Sequence, residues 1–220
     1  MNYYFDWWQT LDLNPLTTLV AAFAGAWCAF LFESRRKAGE EKERQRAVAN
    51  RSLYVISEMW NVLYQYYQDV VKPYKGKHDA WLNMAANATY YGQTQFDAKG
   101  LAFLLDLGEH QTYPKIILEE MRYRGLLNLI EMRNSVIMNQ VHPALAGAKI
   151  KVGSEQLPEA FVESVIGIDN THKLRKWTPE IMDQVEKNLH SLKEAHNDLR
   201  AAMKRLQPDK KFIELQFKEL

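Results

Sequence analysis

The sequence predicts an all-α protein: a single N-terminal transmembrane helix, then a charged helical stalk and a cytoplasmic antiparallel helical bundle. Three observations predict this fold class. Residues 13–32 carry no charged side chain, residues 33–46 carry many charges of both signs, and apolar residues recur at spacings of three and four through most of the remaining chain. We therefore expect a short extracytoplasmic segment at 1–12, the transmembrane helix at 13–32, the stalk at 33–46 and the bundle at 47–220.

The uncharged stretch from Leu13 to Phe32 has the length of a membrane span. Its twenty residues would form a helix of about 30 Å, which matches the hydrocarbon thickness of a bilayer. Pro15 is compatible with the first turn of such a helix. Aromatic side chains, which favour the headgroup region, precede it at Tyr3, Tyr4, Phe5, Trp7 and Trp8. The lipid bilayer is therefore the first partner that the sequence predicts.

Other interpretations of this stretch are weaker. A cleaved secretory signal needs a basic N-terminal region and a shorter apolar core, whereas this N-terminus is acidic and aromatic, and Ala24-Gly25-Ala26 matches a cleavage site only superficially. A lipoprotein signal needs a small residue before its cysteine, but Trp27 precedes Cys28. An apolar helix buried in a soluble protein is the third alternative, although twenty uncharged residues followed by a basic cluster are unusual in a globular core.

Basic residues flank the span on one side only, which predicts its orientation. Residues 1–32 contain no Lys or Arg, whereas Arg35, Arg36 and Lys37 begin a basic cluster directly after the span. The positive-inside rule assigns this flank to the cytoplasm. We expect a single-pass protein of the inner (cytoplasmic) membrane, with its N-terminus outside and its C-terminus in the cytoplasm.

Small residues recur every four positions along the span. Rows of this kind let two helix backbones approach closely in lipid, where packing drives association. One interpretation is self-association into a homo-oligomer, and the other is that Ala and Gly are simply common in membrane spans. The two rows are Ala21, Gly25 and Ala29, and Thr18, Ala22 and Ala26.

Composition restricts the possible partners and cofactors. After residue 32 the chain has 28 basic and 25 acidic residues, a formal charge of +3, which is too balanced to predict nucleic-acid binding. The single cysteine, Cys28, lies in the span, so no intramolecular disulfide or cysteine-based metal site can form. Glu186 and His190 are four residues apart, but a solvated pair explains them better than a metal site. We expect no metal and no cofactor.

Apolar periodicity predicts the helices of the soluble part. The stalk continues the span, with Gly39 as a potential weak point. The predicted elements after it are a helix from Ala49 to Val70 that ends before Pro73 and Gly76, short helices over 79–91 and 97–107, a long helix from Thr112 that closes at His142-Pro143, a loop over 147–158, and a short helix over 161–168.

The last long helix has the most regular pattern. Thr178-Pro179-Glu180 is typical of a helix start and Pro208 of a stop. Its buried seam is predicted at Met182, Val185, Leu189, Leu192, His196, Leu199, Met203 and Leu206. His196 is the polar residue of this seam, where it can specify register or partner, respond to pH or be a satisfied core histidine. The tail from Lys211 to Leu220 is compatible with a strand-like or a helical clasp.

Arg133-Asn134 followed by His142 resembles the Arg-Asn and His motif of the HEPN ribonucleases, which are helical proteins. The resemblance implies a phosphate shared by Arg133 and His142. Eight residues separate Arg133 from His142, against four to six in that family, and nine steps of about 100° place the two side chains on opposite faces of an unbroken helix. The simpler interpretation is a surface arginine and a histidine at a helix end.

No glycine-rich phosphate loop, nucleophile elbow or paired acid motif is present in the sequence, and we identify no catalytic residues. We expect a membrane-anchored, non-enzymatic helical interaction module that is oligomeric and binds a cytoplasmic protein partner. Two alternatives stay open. One is an inner-membrane effector that disturbs the membrane on activation in an antiviral abortive-infection system, and the other is a membrane-tethered ribonuclease.

Overall fold

The computed structural model describes residues 14–86, 95–150 and 158–218, with side chains from Thr17 onward. Within these residues the chain forms helices and turns and no strand, which confirms the all-α prediction for them. The helices are α1 (Asn14–Tyr66), α2 (Ala80–Asn83), α3 (Phe103–Asp106), α4 (Thr112–Val136), α5 (His142–Gly147), α6 (Glu159–Ile166) and α7 (Ile168–Leu206). The chain divides into two compact units, the first ending at Gln45 and the second beginning at Arg46.

In the first unit, α1 exposes its apolar side chains. None of its most apolar window is buried, and the helix is long and apolar enough to cross a membrane. Phe23, Trp27 and Phe30 are among the exposed side chains. The alternative of an apolar helix buried in a soluble core is therefore wrong, because burial is what would stabilise such a helix in water. The predicted segment 1–12 and its aromatic residues lie outside the described residues.

The charged segment after Phe32 continues α1 without a break. Arg36 forms ion pairs with Glu33 and with Glu40, both at 2.9 Å, one helical turn away on either side. Such pairs each contribute a few tenths of a kcal/mol to an exposed helix. Gly39 lies in the middle of this segment and the helix passes through it. The stalk is therefore part of one continuous helix with the span.

In the second unit, α4 and α7 run antiparallel. Lys115 Nζ near the start of α4 lies 2.6 Å from Asp198 Oδ2 late in α7, and Arg133 Nε near the end of α4 lies 2.8 Å from Thr178 Oγ1 early in α7. The C-terminal part of α1 shares their core. That core includes Leu53, Ile56, Met59 and Leu63 of α1, Ile116, Tyr123, Leu126 and Ile130 of α4, and Ile181, Val185, Leu189, Leu192 and Leu199 of α7.

Two π-helical turns precede prolines in the same way. The turns Tyr67–Val71 and Ile137–Val141 each end two residues before a proline, Pro73 and Pro143. Proline lacks an N–H and its ring collides with the carbonyl four residues earlier, and the wider i→i+5 turn moves that carbonyl away. After the first turn the chain leaves the helix in a short 3-10 turn, Lys72–Tyr74.

After the second turn the helix continues as α5 to Gly147. The prediction that His142-Pro143 closes the long helix is therefore wrong. His142 N–H bonds to the carbonyl of Ile137, five residues earlier, so the chain widens by one residue and keeps coiling through Pro143.

The predicted start of the last helix at Thr178-Pro179 is also wrong. α7 begins at Ile168, directly after Gly167, whose φ of +86° ends α6. Pro179 lies inside α7, although an internal proline costs a helix about 3 kcal/mol. The helix N-terminal to it is held by Leu174 and Thr171, both buried. Tertiary packing therefore overrides the local signal.

The described residues between α1 and α4 form short helices and turns that are held by local backbone hydrogen bonds. Asp97 Oδ1 accepts a hydrogen bond of 2.8 Å from the N–H of Gly100, which begins the 3-10 turn Gly100–Ala102. Gly108, with φ of +84°, follows the end of α3, and the N–H of Glu109 bonds back to Leu104 O at 2.8 Å. The predicted helix over 79–91 is reduced to α2 within the described part of that range.

The tail from Lys211 to Lys218 forms neither strand nor helix. It is held on the second unit by irregular contacts. Phe212 is buried, the N–H of Ile213 bonds to Asn50 Oδ1 at 3.1 Å, and Glu214 pairs with Arg200 at 2.5 Å. The tail is therefore an irregular segment that packs on the second unit.

Candidate functional site

The two rows of small residues in the span lie on the exposed surface of α1. Thr18, Ala21, Ala22, Gly25, Ala26 and Ala29 are all exposed in the isolated chain. A Cβ added at Gly25 would meet no heavy atom within 4 Å. The rows are therefore exposed and accessible to lipid or to another helix.

Three basic residues, Arg35, Arg36 and Lys37, follow the span on exposed positions of α1. Lys37 Nζ lies 3.5 Å from Glu33 Oε1, and Arg36 also contacts Glu33. These three side chains are exposed and are therefore accessible to anionic lipid headgroups or to water.

Arg133 is completely buried in the second unit, with 0% of its surface exposed. Its guanidinium joins three helices. Nε donates to Thr178 Oγ1 of α7 at 2.8 Å, and Nη2 donates to the carbonyl of Met84, just after α2, at 2.7 Å. Nη1 makes no hydrogen bond to the described residues. Burial lowers the pKa of Arg133 to about 10, so at neutral pH it is a buried cation.

The geometry explains why Arg133 belongs to the core. Tyr123, Leu126, Ile130, Arg133 and Ile137 are all buried on one side of α4 and the turn after it. Their spacings of three, four, three and four are those of a helix seam. The prediction of a surface arginine treated Arg133 as half of the Arg-Asn motif. The three-four spacing of the apolar residues around it was the signal that could have placed it in the core.

The motif that resembles HEPN ribonucleases does not form a shared site here. The prediction of a surface arginine is wrong because Arg133 is 0% exposed and its guanidinium donates to Thr178 and Met84 inside the core. His142 is exposed and begins α5, so the prediction of a helix-ending histidine is also wrong. A phosphate bound by His142 at the surface would not reach a guanidinium with no exposed atom surface.

His196 lies in a small aromatic cluster at the tail. Only 1% of its surface is exposed, and its ring meets Phe217 edge-on at 5.1 Å. Phe217 also packs edge-on against Trp60 at 5.2 Å, whose Nε1–H donates to Leu189 O at 3.1 Å. The cluster therefore joins α1, α7 and the tail.

Burial lowers the pKa of His196, and a weaker interaction with the Asn197 side chain opposes that shift. Neither ring nitrogen has a partner with acceptable hydrogen-bond distance and angle among the described residues. Arg200 also disfavours the protonated ring, whereas Glu214 favours it. The ring is therefore a neutral group at pH 7 whose protonation would place a charge against Phe217.

The remaining candidate for a polar site is not assembled. Glu186 pairs with Lys75 at 2.6 Å, and His190 pairs with Glu194 at 3.1 Å, so the predicted contact between Glu186 and His190 is replaced by two others. Among the described residues, no group of three or more His, Cys, Asp or Glu side chains could hold a metal ion.

Comparison with known proteins identifies no relative from which a function could be transferred. No protein family, curated protein or solved structure matches this chain significantly. The class that the chain defines is an all-helical protein with one apolar N-terminal helix that is long enough to cross a membrane.

Proposed function

We propose that this protein is a membrane-anchored, non-enzymatic interaction module of the inner membrane. The observation that carries the proposal is the exposed apolar stretch of α1, none of which is buried. An exposed apolar surface of that length is unfavourable in water and favourable in a bilayer. The N-terminus lies outside, and the second unit is an antiparallel helical bundle in the cytoplasm.

Several features of the second unit support a binding role. Arg133 and His196, the polar residues with the most distinctive environments, are enclosed in the core and hold helices together. The exposed surface includes large apolar side chains such as Met121, Met132 and Phe161. Met121 and Met132 lie on one side of α4, and an apolar patch shared by neighbouring positions is typical of a protein contact surface. The protein self-associates through the small-residue rows of its span and binds a cytoplasmic protein.

The first experiment tests the anchor. The full chain is expressed in bacteria, and membranes are washed with alkaline carbonate, which removes peripheral proteins. We expect the protein to stay in the membrane pellet. Replacing Phe23 and Trp27 by Glu should release it to the supernatant, because each charge in the hydrocarbon core costs about 3 kcal/mol. Recovery of the unchanged chain in the wash would contradict the proposal.

The second experiment separates an interaction module from an effector that disturbs the membrane. Cells that express the protein at a controlled level are stained with a membrane-potential dye. A module leaves the potential unchanged, and we expect that result. Depolarisation that follows induction, and that disappears in the Phe23→Glu variant, would favour the effector alternative and overturn the proposed role.

A further inference from the structure

The outer side of α4 carries an apolar stripe. Leu118, Met121 and Met132 are 43%, 66% and 51% exposed. Leu129 is half-buried and also packs against the core, and Gly125 is exposed at the centre. On a helix with about 100° per residue these five positions fall within about 80° of one another. The buried face of the same helix, with Tyr123 and Ile130, fills the core.

Gly125 has no explanation inside the chain. It lies in the interior of α4, where a glycine costs about 1 kcal/mol relative to alanine. A Cβ added there would meet no heavy atom within 4 Å, so internal packing does not exclude a side chain. Its φ is not positive, so the backbone does not need glycine either. A missing side chain on an exposed helix face lets a second backbone approach closely.

We infer that this stripe binds α4 of a second copy of the protein, with the closest contact at Gly125. The stripe matches itself about that residue. Met121 and Leu129 lie four positions on either side of Gly125, and Leu118 and Met132 lie seven positions on either side. Whichever way the second helix runs, each apolar residue therefore meets an apolar residue, as a two-fold interface between identical surfaces requires.

The inference of this contact rests on the proposed function, since it adds a second site of association to the proposed oligomer. The contact lies in the second unit and not in the apolar stretch of α1. Five residues bury less than the roughly 800 Å² per partner of a standard stable interface. Two copies held in one membrane meet at a high effective concentration, which allows a small contact to persist. Methionine side chains also adapt their shape to a close partner.

Cysteine cross-linking in membranes tests the contact with the full chain. The single native cysteine, exposed Cys28, is first replaced by Ser. Gly125→Cys is then compared with Tyr54→Cys, which places a thiol at an equally exposed position of α1. A disulfide needs Cα atoms about 4.4–6.8 Å apart. After mild oxidation we expect a disulfide-linked dimer of the Gly125→Cys variant and only background dimer of the Tyr54→Cys variant.

A matched pair of methionines provides the second arm. In the Gly125→Cys background, Met121→Glu puts a charge in the stripe, whereas Met138→Glu changes a comparably exposed methionine outside it. We expect loss of the cross-linked dimer only with Met121→Glu. Equal dimer from the two cysteine variants, or equal effects of the two Glu changes, would overturn the inference.

The membrane fraction of the same preparation distinguishes this inference from the proposed function. Membrane-bound protein that does not cross-link at residue 125 would leave the anchor in place and remove the α4 contact. Cross-linking of protein found in the soluble fraction would leave the α4 contact in place and remove the anchor.

Discussion

At the scale of single residues, Arg133 is a buried cation whose hydrogen bonds to the described residues go to a hydroxyl and a carbonyl oxygen and not to a carboxylate. Burial lowers its pKa to about 10, which disfavours the charged form by about 3 kcal/mol relative to a solvated guanidinium. Two hydrogen bonds from a charged donor, to Thr178 and Met84, each contribute about 1.5–3 kcal/mol. The guanidinium therefore specifies how α4, α7 and the end of α2 meet.

Removal of one hydrogen-bond acceptor of the Arg133 guanidinium should lower the free energy of unfolding. We expect Thr178→Val to lower the free energy of unfolding by about 1–3 kcal/mol, because it leaves a donor of a buried cation unpaired. Thr171→Val is the matched control. Thr171 is equally buried, but its hydroxyl bonds to Gly167 O, which also accepts the N–H of Thr171. Denaturant unfolding of the full chain in detergent measures both, and equal losses would contradict the assigned role of Thr178.

His196 links stability to pH through the same physics. Because burial lowers its pKa, the unfolded chain takes up a proton first as the pH falls. The free energy of unfolding should therefore be highest above the unfolded pKa of about 6.5, decrease as the pH falls below it, and level off once the pH is below the folded pKa. Phe217 and the Arg200–Glu214 pair surround the site where the charge would appear.

His196→Leu should raise the melting temperature and flatten its dependence on pH between about 5 and 7, because the variant has no ring to protonate and no unpaired buried nitrogen. Thermal unfolding of the full chain in detergent over this range measures the effect. His190→Leu is the control, since His190 is exposed and pairs with Glu194. A pH profile of His196→Leu parallel to that of the unchanged chain would mean that another group causes the pH dependence.

At the scale of helices, the periodic segments were predictable and their ends were not. Spacing alone predicts the seam of α7, because a helix side must be apolar to pack. The structure buries Val185, Leu189, Leu192, His196, Leu199 and Met203 of that seam, whereas Met182 and Leu206 at its ends are only half-buried. Pro73, Pro143 and Pro179 do not have the same effect on the helices in which they occur. A π turn carries the chain past Pro143 and packing holds α7 through Pro179, whereas the helix ends soon after Pro73. The local sequence does not determine whether a helix ends at a proline or continues past it.

The span is the element whose association can be tested most directly. Gly25→Leu should weaken self-association in a membrane two-hybrid assay, because a bulky side chain separates two helices that pack through small residues. Ala24→Leu is the control, since Ala24 lies outside both rows and the change has similar size. If both variants associate as strongly as the parent, the row with Ala21, Gly25 and Ala29 is not the interface.

At the scale of the whole molecule, one helix belongs to both compact units. α1 contains the apolar stretch, the charged segment and, from Ala49 onward, core residues of the second unit. The proposed function assigns self-association to the apolar stretch and binding of a protein partner to the second unit.

Topology is the prediction at this scale. A reporter that is active only in the cytoplasm should be active when fused after Leu220, because the basic residues Arg35, Arg36 and Lys37 favour the cytoplasmic side. A second fusion with a reporter active only in the periplasm should be silent at the same position. Replacement of the three residues by Glu should reduce the cytoplasmic signal. Strong periplasmic activity of the unchanged chain would contradict the orientation.

The sequence by itself determined the all-helical class, the exposed apolar stretch and the positions of the long seams. Each of these depends on side-chain periodicity or on length, which are local properties. Only the tertiary structure decided that Arg133 is buried, that α7 begins at Ile168, and that the tail is an irregular clasp over His196. Those outcomes depend on partners far away in the chain, namely Thr178, Met84 and Phe217. Their contact energies outweigh the preferences of the local residues.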